Sequence, residues 1–295
     1  MLTVFAVPKP FAGHIGVIQR NAVRSWRALH PECQILLCGD EAGSAEAAFE
    51  LGVERLLDVD TNEFGTPLLS SVFASVEMRA DHDLLCYVNA DIIFFDDLLD
   101  VVRAVASQHR RFLLAGGALD LDVTRELAFD EVGVRDLQER ARKEGTPRGR
   151  LWIDFFVFPR GSIGRLPDFA VGRPSWDNWM IWRARSLRLP VVDVTDAATV
   201  VHQSHAYGHV QGSRGSRWEG PEGDANFELV RWEERCFSLD NATHVAQPGG
   251  ELAPKKTTLQ NRIRTELIRH DRAMPLVVVL DRGYQWLRRM SAAAS

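Results

Sequence analysis

Apolar residues along the first 115 positions fall into short unbroken runs separated by longer stretches with helical periodicity. Leu2–Val7, Gln34–Cys38, Val53–Val59, Leu84–Val88 and Phe112–Ala115 have the length of strands, and the wholly apolar run Leu84–Val88 predicts a strand buried on both faces. Between them, His14–Leu29, Glu41–Leu51, Pro67–Arg79 and Asp97–Ser107 carry the spacing of amphipathic helices. Alternation of this kind predicts right-handed crossovers and a mostly parallel sheet in an α/β protein. Polar residues recur at the strand ends: Lys9 after the first, Gly39-Asp40 after the second and Asn89-Ala90-Asp91 after the fourth. In such sheets, ligands bind beyond the carboxyl ends of the strands, so these residues outline a candidate crevice.

The rhythm breaks after residue 116. Residues 130–148 are charged and predict a surface helix plus loop, and Trp152–Phe158 reads as another strand. Gly172-Arg173-Pro174-Ser175 leads into a helix near Trp176–Leu187, with Ser175 in the N-cap position. Val191–Val194 and Thr199–Val201 are short strands feeding His202, and the Gly- and Ser-rich segment 211–226 predicts a mobile loop. Past Gly249-Gly250, Leu259, Ile263 and Leu267 share one helical face, and Leu276, Leu280, Tyr284 and Leu287 another. The expected organisation is therefore a main domain over 1–250, with a crevice-forming, nucleotide-type half at about 1–115 and a second half at about 116–250. A basic helical appendage over 251–295 follows it.

Charge sharpens that division. The last 45 residues hold nine Lys or Arg against four Asp or Glu, so the preceding 250 sum to −10 within a total of −5. An acidic body argues against nucleic acid as a partner, which calls for a basic face. The basic tail is a candidate for peripheral membrane contact or a dimer interface, although two helices covering the core is the simpler expectation. The four cysteines form no C-x-x-C and no even ladder, and with no 18-residue apolar run a reducing cytoplasm is the expected location. The N-terminus lacks a basic leader and reads as a first strand.

Four groups of residues carry candidate chemistry. Asn89 and Asp91, spaced i, i+2 at a strand end, can share a hard cation such as Mg²⁺ or Mn²⁺ with diphosphate oxygens; equally, Asn89 can make a turn and Asp91 cap the next helix. Three of the nine histidines, His202, His205 and His209, lie within eight residues after a short strand. Neutral imidazole can complete a Mn²⁺ site beside a carboxylate, with His202 favoured and His205 nearer the acceptor or lid; polar loop histidines are the plain alternative. Asp177 sits in the first turn of its helix, where the dipole favours its ionised form and a role as general base. The flanking Trp176 and Trp179 would then form a sugar platform, or the group is a helix cap with core tryptophans. Finally, Asp154 is either an acceptor-site residue or an edge-strand charge, and Asp120 with Asp122 is either a competing metal pair or a solvated turn. Arg214 and Trp218 stand in the Gly-rich segment, where a lid would close over the site.

Taken together, Asn89-Ala90-Asp91, the later Gly172-Arg173-Pro174-Ser175-Trp176-Asp177-Asn178-Trp179 and His202-Gln203-Ser204-His205 resemble, in order, the nucleotide-diphospho-sugar glycosyltransferases of the GT-A fold, and a bacterial branch of them in particular. The resemblance covers roughly residues 1 to 235. It implies a Rossmann-like three-layer GT-A fold with a D-x-D-type motif at 89–91, Asp177 as the catalytic carboxylate and a metal-binding histidine in the 202–209 cluster. The implied reaction is metal-assisted, inverting transfer from a nucleotide sugar to a hydroxyl acceptor, with Pro8, Lys9, Asp40 and Asn89 lining the nucleotide. Asn89 departs from the motif, since an acid is expected there. The chain has neither Gly-x-Gly-x-x-Gly after its first strand nor a P-loop, which argues against nicotinamide, flavin and P-loop chemistry. A nucleotidyltransferase of similar fold, or a non-catalytic nucleotide- or carbohydrate-binding protein, remains the alternative.

Overall fold

A computed structural model describes residues 1–205 and 220–256, together with Leu259. Arg214, Trp218, His209 and the predicted helices of the tail lie outside the described residues. The strands are β1 (Leu2–Ala6), β2 (Gln34–Cys38), β3 (Glu54–Leu56), β4 (Leu84–Val88), β5 (Ile92–Phe94), β6 (Leu113–Ala115), β7 (Leu119–Leu121), β8 (Thr146–Pro147), β9 (Phe155–Pro159), β10 (Val191–Asp193), β11 (Val200–Gln203), β12 (His244–Ala246) and β13 (Leu252–Pro254). The helices are α1 (Gly13–Leu29), α2 (Ser44–Leu51), α3 (Leu69–Arg79), α4 (Asp97–Gln108), α5 (Glu131–Glu144), α6 (Trp176–Ser186) and α7 (Pro221–Glu228).

Among the described residues, nine strands form one sheet in the order β13-β12-β10-β6-β9-β4-β1-β2-β3. Strands β1 to β4, and β6 with β10 and β12, pair in parallel, whereas β9 runs antiparallel between β4 and β6 and β13 antiparallel on β12. Both faces of the central strands are covered, which is why β4 reads as an unbroken apolar run, whereas β3 at the sheet edge carries Glu54 and Arg55. On one face Ala22, Val23 and Trp26 of α1, Ala47 and Leu51 of α2, and Leu98, Val102 and Val105 of α4 pack against Val4, Cys86 and Val157. On the other, Val72, Phe73 and Val76 of α3 and Met180, Ile181 and Ala184 of α6 meet Phe5, Leu85 and Phe158. The expected α/β architecture, three layers around a mostly parallel sheet, is what the structure shows.

The apolar stretch 84–95 contains two strands, the expected one and a second beyond the triplet. β4 ends at Val88 in the large sheet, the triplet turns, and β5 enters a second, four-stranded sheet ordered β5-β11-β7-β8. Trp26 of α1 holds that turn in place by donating its indole N–H to the Ile92 carbonyl at 2.9 Å. The small sheet brings residues far apart in sequence into register: His202 pairs with Ile92 across the antiparallel β5 and with Asp120 across the parallel β7.

Several local expectations are corrected. Asp154 is not an edge charge, because β9 lies inside the sheet and Asp154, immediately before it, is buried. Ser175 makes no side-chain cap: its φ of 86° turns the hydroxyl away, and its oxygen is buried without a hydrogen-bond partner. Asp177 instead takes the Asn178 N–H at 2.9 Å. The expected loop at 211–226 overlaps α7, which opens on Pro221 with Glu222 and Asp224 in its first turn, a favourable start for a helix. Residues 252–254 of the expected helical tail are strand β13, and Lys255 beyond it donates to buried Asp193 at 2.8 Å. No helix of the described residues is long and apolar enough to cross a membrane, and all four cysteines are free.

Candidate functional site

A cleft of about 700 Å³ opens at the carboxyl edge of β1 and β4, a size typical of small-molecule sites. Pro8 and Lys9 line it from the end of β1, and Asn89, Ala90 and Asp91 from the end of β4. Lys9 is held by a reciprocal pair of hydrogen bonds with the Gln19 side chain of α1, at 2.6 and 2.8 Å. Asp40 does not reach the cleft. The chain turns at Gly39, with φ of 98°, and sends Asp40 outward to an ion pair with Arg55, leaving its side chain 81% exposed; Glu41 lines the cleft in its place.

At the inner end of the cleft Asp91, His202 and His205 converge, with one candidate ligand atom from each within 4.8 Å of the others. His205 Nε2 lies 2.9 Å from Asp91 Oδ2 and His202 Nε2 lies 3.7 Å from the same oxygen. The other carboxylate oxygen, Oδ1, is buried without a hydrogen-bond partner. Burial opposes ionisation of Asp91, but the His205 hydrogen bond and the nearby His202 and Lys9 outweigh it and lower the carboxyl to about 2. A buried anion with an orphaned oxygen, faced by two imidazole nitrogens, is the chemistry of a divalent cation site. The residues fit such an ion. His205, expected nearer the acceptor, therefore stands with His202 at Asp91.

Behind this cluster runs a chain of polar contacts. His202 Nδ1 lies 2.6 Å from Asp120 Oδ1. Arg148 Nε lies 3.6 Å from that same oxygen, and its Nη1 donates to Asp154 Oδ2 at 2.9 Å. Asp154 Oδ1 accepts the Asn89 amide at 3.0 Å, and Asn89 precedes Asp91 by two residues in the chain. Asn89 thus serves Asp154 rather than pointing to a shared cation. Burial raises the Asp154 carboxyl, with Arg148 working against it. Replacing Asn89 with Asp sets a second carboxylate against Asp154 and removes its donor. The expected loss is about 2–3 kcal/mol at neutral pH, measurable by denaturant titration and shrinking as the pH is lowered toward 4.

A narrower side pocket of about 50 Å³ adjoins the cleft, sharing Asn89, Asp154, Gly172 and Arg173 with it. Asp177 and Trp176 form its far wall. Trp176 is not an open platform: only 5% exposed, it packs edge-on against Tyr87 and Phe156, at 4.7 and 5.5 Å between ring centres. Trp179 lies away from both pockets, in the core against Phe169 and Trp182. Helical spacing explains this, because a residue three positions after Trp176 shares its inward face. At the rim, Glu222 of α7 accepts from Arg173 and, at 2.7 Å, from Asn62, tying three segments together.

Arg148 is the one member of this chain of contacts without a signal in the sequence. Asp120 was visible only as half of an acidic pair, and nothing near Arg148 in sequence marks it as the partner of Asp120 and Asp154.

No family model and no curated protein sequence matches the chain. Solved structures do. The chain is similar to S. aureus TarS 1–349 in complex with UDP-GlcNAc at 13% identity, over 72% of this chain and 61% of that one, with a TM-score of 0.47. M. tuberculosis glucosyl-3-phosphoglycerate synthase shares 15% identity over 70% of this chain and 73% of its own, with a TM-score of 0.44. The mannosyltransferase PcManGT from Pyrobaculum calidifontis, in complex with GDP-Man and Mn²⁺, shares 12% identity over 70% and 58%, with a TM-score of 0.45. The chain spans 36% of the length of a further TarS structure.

Proposed function

We propose that this chain transfers a sugar from a nucleotide diphosphate sugar to a hydroxyl acceptor with the help of a divalent cation. The observation that carries the reading is the orphaned, buried Asp91 Oδ1 beside His202 and His205 at the inner end of the cleft. The cleft volume accommodates a nucleotide sugar, and its position beyond the parallel strands is where such ligands bind.

Asp91, His202 and His205 would hold the cation, and two imidazoles in the set favour Mn²⁺ over Mg²⁺. A bound cation offsets the charge that develops on a leaving diphosphate. Lys9 adds fixed positive charge at the same end of the cleft, and Pro8 walls the nucleotide. Asp177, in the side pocket, accepts the proton of the attacking hydroxyl, so that displacement proceeds directly and the anomeric centre inverts. Asp154, held by Arg148 and Asn89, borders both pockets and orients the acceptor.

The test is release of nucleotide diphosphate from a set of nucleotide sugars in the presence of hydroxyl acceptors, with Mn²⁺ and after chelation. Asp177→Asn is expected to lower turnover by about 10²–10⁴-fold while leaving nucleotide binding nearly intact. Unchanged turnover in that variant would remove Asp177 from the role of base. Metal-independent nucleotide binding without any turnover would instead identify a binding protein, and release of pyrophosphate from a nucleoside triphosphate a nucleotidyltransferase.

A further inference from the structure

We propose that Asp120 is a positioning residue of the cation site: it fixes the proton of His202 on Nδ1 and so presents the Nε2 lone pair to the cation. The inference rests on the cation reading above and assigns a role to a residue outside the ligand set. The parallel pairing of β7 with β11 sets Asp120 directly beside His202. Their side chains meet at 2.6 Å between Oδ1 and Nδ1. An ionised carboxylate only accepts hydrogen bonds, so neutral His202 must carry its proton on Nδ1. Nε2 is then a bare acceptor, and it faces the carboxylate oxygen of Asp91 at 3.7 Å. Two acceptors turned toward each other call for a positive charge between or beside them.

Arg148 completes the device. Its guanidinium lies 3.6 Å from Asp120 Oδ1 and holds the carboxylate beside the His202 ring. Asp120 is not needed to fill the core, because its side chain is 40% exposed. The strand pairing stands without it as well: the Ser204 N–H donates to the Leu121 carbonyl at 2.9 Å. The fold therefore tolerates a change at Asp120, and the loss falls on the orientation and tautomer of His202.

Calorimetric titration of the full chain with Mn²⁺ tests this, comparing wild type, Asp120→Asn and, as a control, Asp122→Asn at the exposed neighbouring carboxylate. Asp120→Asn is expected to weaken Mn²⁺ binding about 10–100-fold, with Asp122→Asn unchanged. Equal affinity in wild type and Asp120→Asn overturns the inference. A wild-type chain that binds no Mn²⁺ overturns the cation reading itself, and this role with it. A second measurement needs no variant: the nitrogen shifts of His202 in the metal-free protein above neutral pH. A proton on Nδ1 is expected; a proton on Nε2 overturns the inference whatever the titration shows.

Discussion

Asp91→Asn is expected to abolish measurable Mn²⁺ binding and to lower turnover by at least about 10²–10³-fold, the range seen when one preorganised electrostatic contact is lost. An amide has the shape of the carboxylate but neither its charge nor two accepting oxygens, and Oδ1 is the oxygen with no other partner. The metal-free protein adds an independent readout. Because Asp91 is lowered from 3.8 to about 2 in the fold, its ionised form contributes stability that is fully present above about pH 4 and lost as the pH falls toward 2. The variant lacks that contribution, about 2 kcal/mol. Wild type and variant, unfolded without metal, should therefore differ at pH 7 and converge near pH 2. Retained Mn²⁺ binding in the variant would remove Asp91 from the ligand set.

Arg148→Met is expected to cost about 3–5 kcal/mol at neutral pH. The guanidinium is 5% exposed and its partner Asp154 8%, so removing the cation leaves a buried carboxylate without its counter-charge. The sign of the pH dependence follows from Asp154, whose carboxyl is already raised by burial and rises further without Arg148. The folded protein then binds the proton more tightly than the unfolded chain does. Its penalty is complete above the folded value and relieved as the pH falls through it. Denaturant unfolding of wild type and variant at pH 7 and near pH 4.5 measures this, and the gap should narrow at the lower pH. A gap that widens on acidification would mean that Arg148 acts on another group.

The parts of the fold that sequence exposes are those governed by a single physical signal. Buried parallel strands announce themselves as unbroken apolar runs, and β2 and β4 were read to the residue for that reason. Short strands such as β7, β8 and β12 gave no such signal, because two or three residues carry no period and their pairing partners are distant in sequence. The same limit applied to the site. Asp91 stood out as an acid beyond a buried strand, and His202 and His205 as a cluster. The pairing that sets His202 beside Asp120 belongs to the small sheet, which was not foreseen. Asp40 was misplaced by one position, since a turn at Gly39 decides whether Asp40 or Glu41 faces inward. For Trp179 the sequence offers a sugar platform or a core position, and the structure packs it into the core against Phe169.

The contact between Asn89 and Asp154 bears on how this chain can change over generations. An acid at position 89 meets a charged neighbour at position 154, so the two positions are not free to vary separately. An acid at 89 is expected to cost less once 154 has lost its charge, and that step in turn removes the ion pair between Asp154 and Arg148. The order of the mutations matters as much as their identity, because the Asn89 amide is a donor to Asp154 where a carboxylate would repel it.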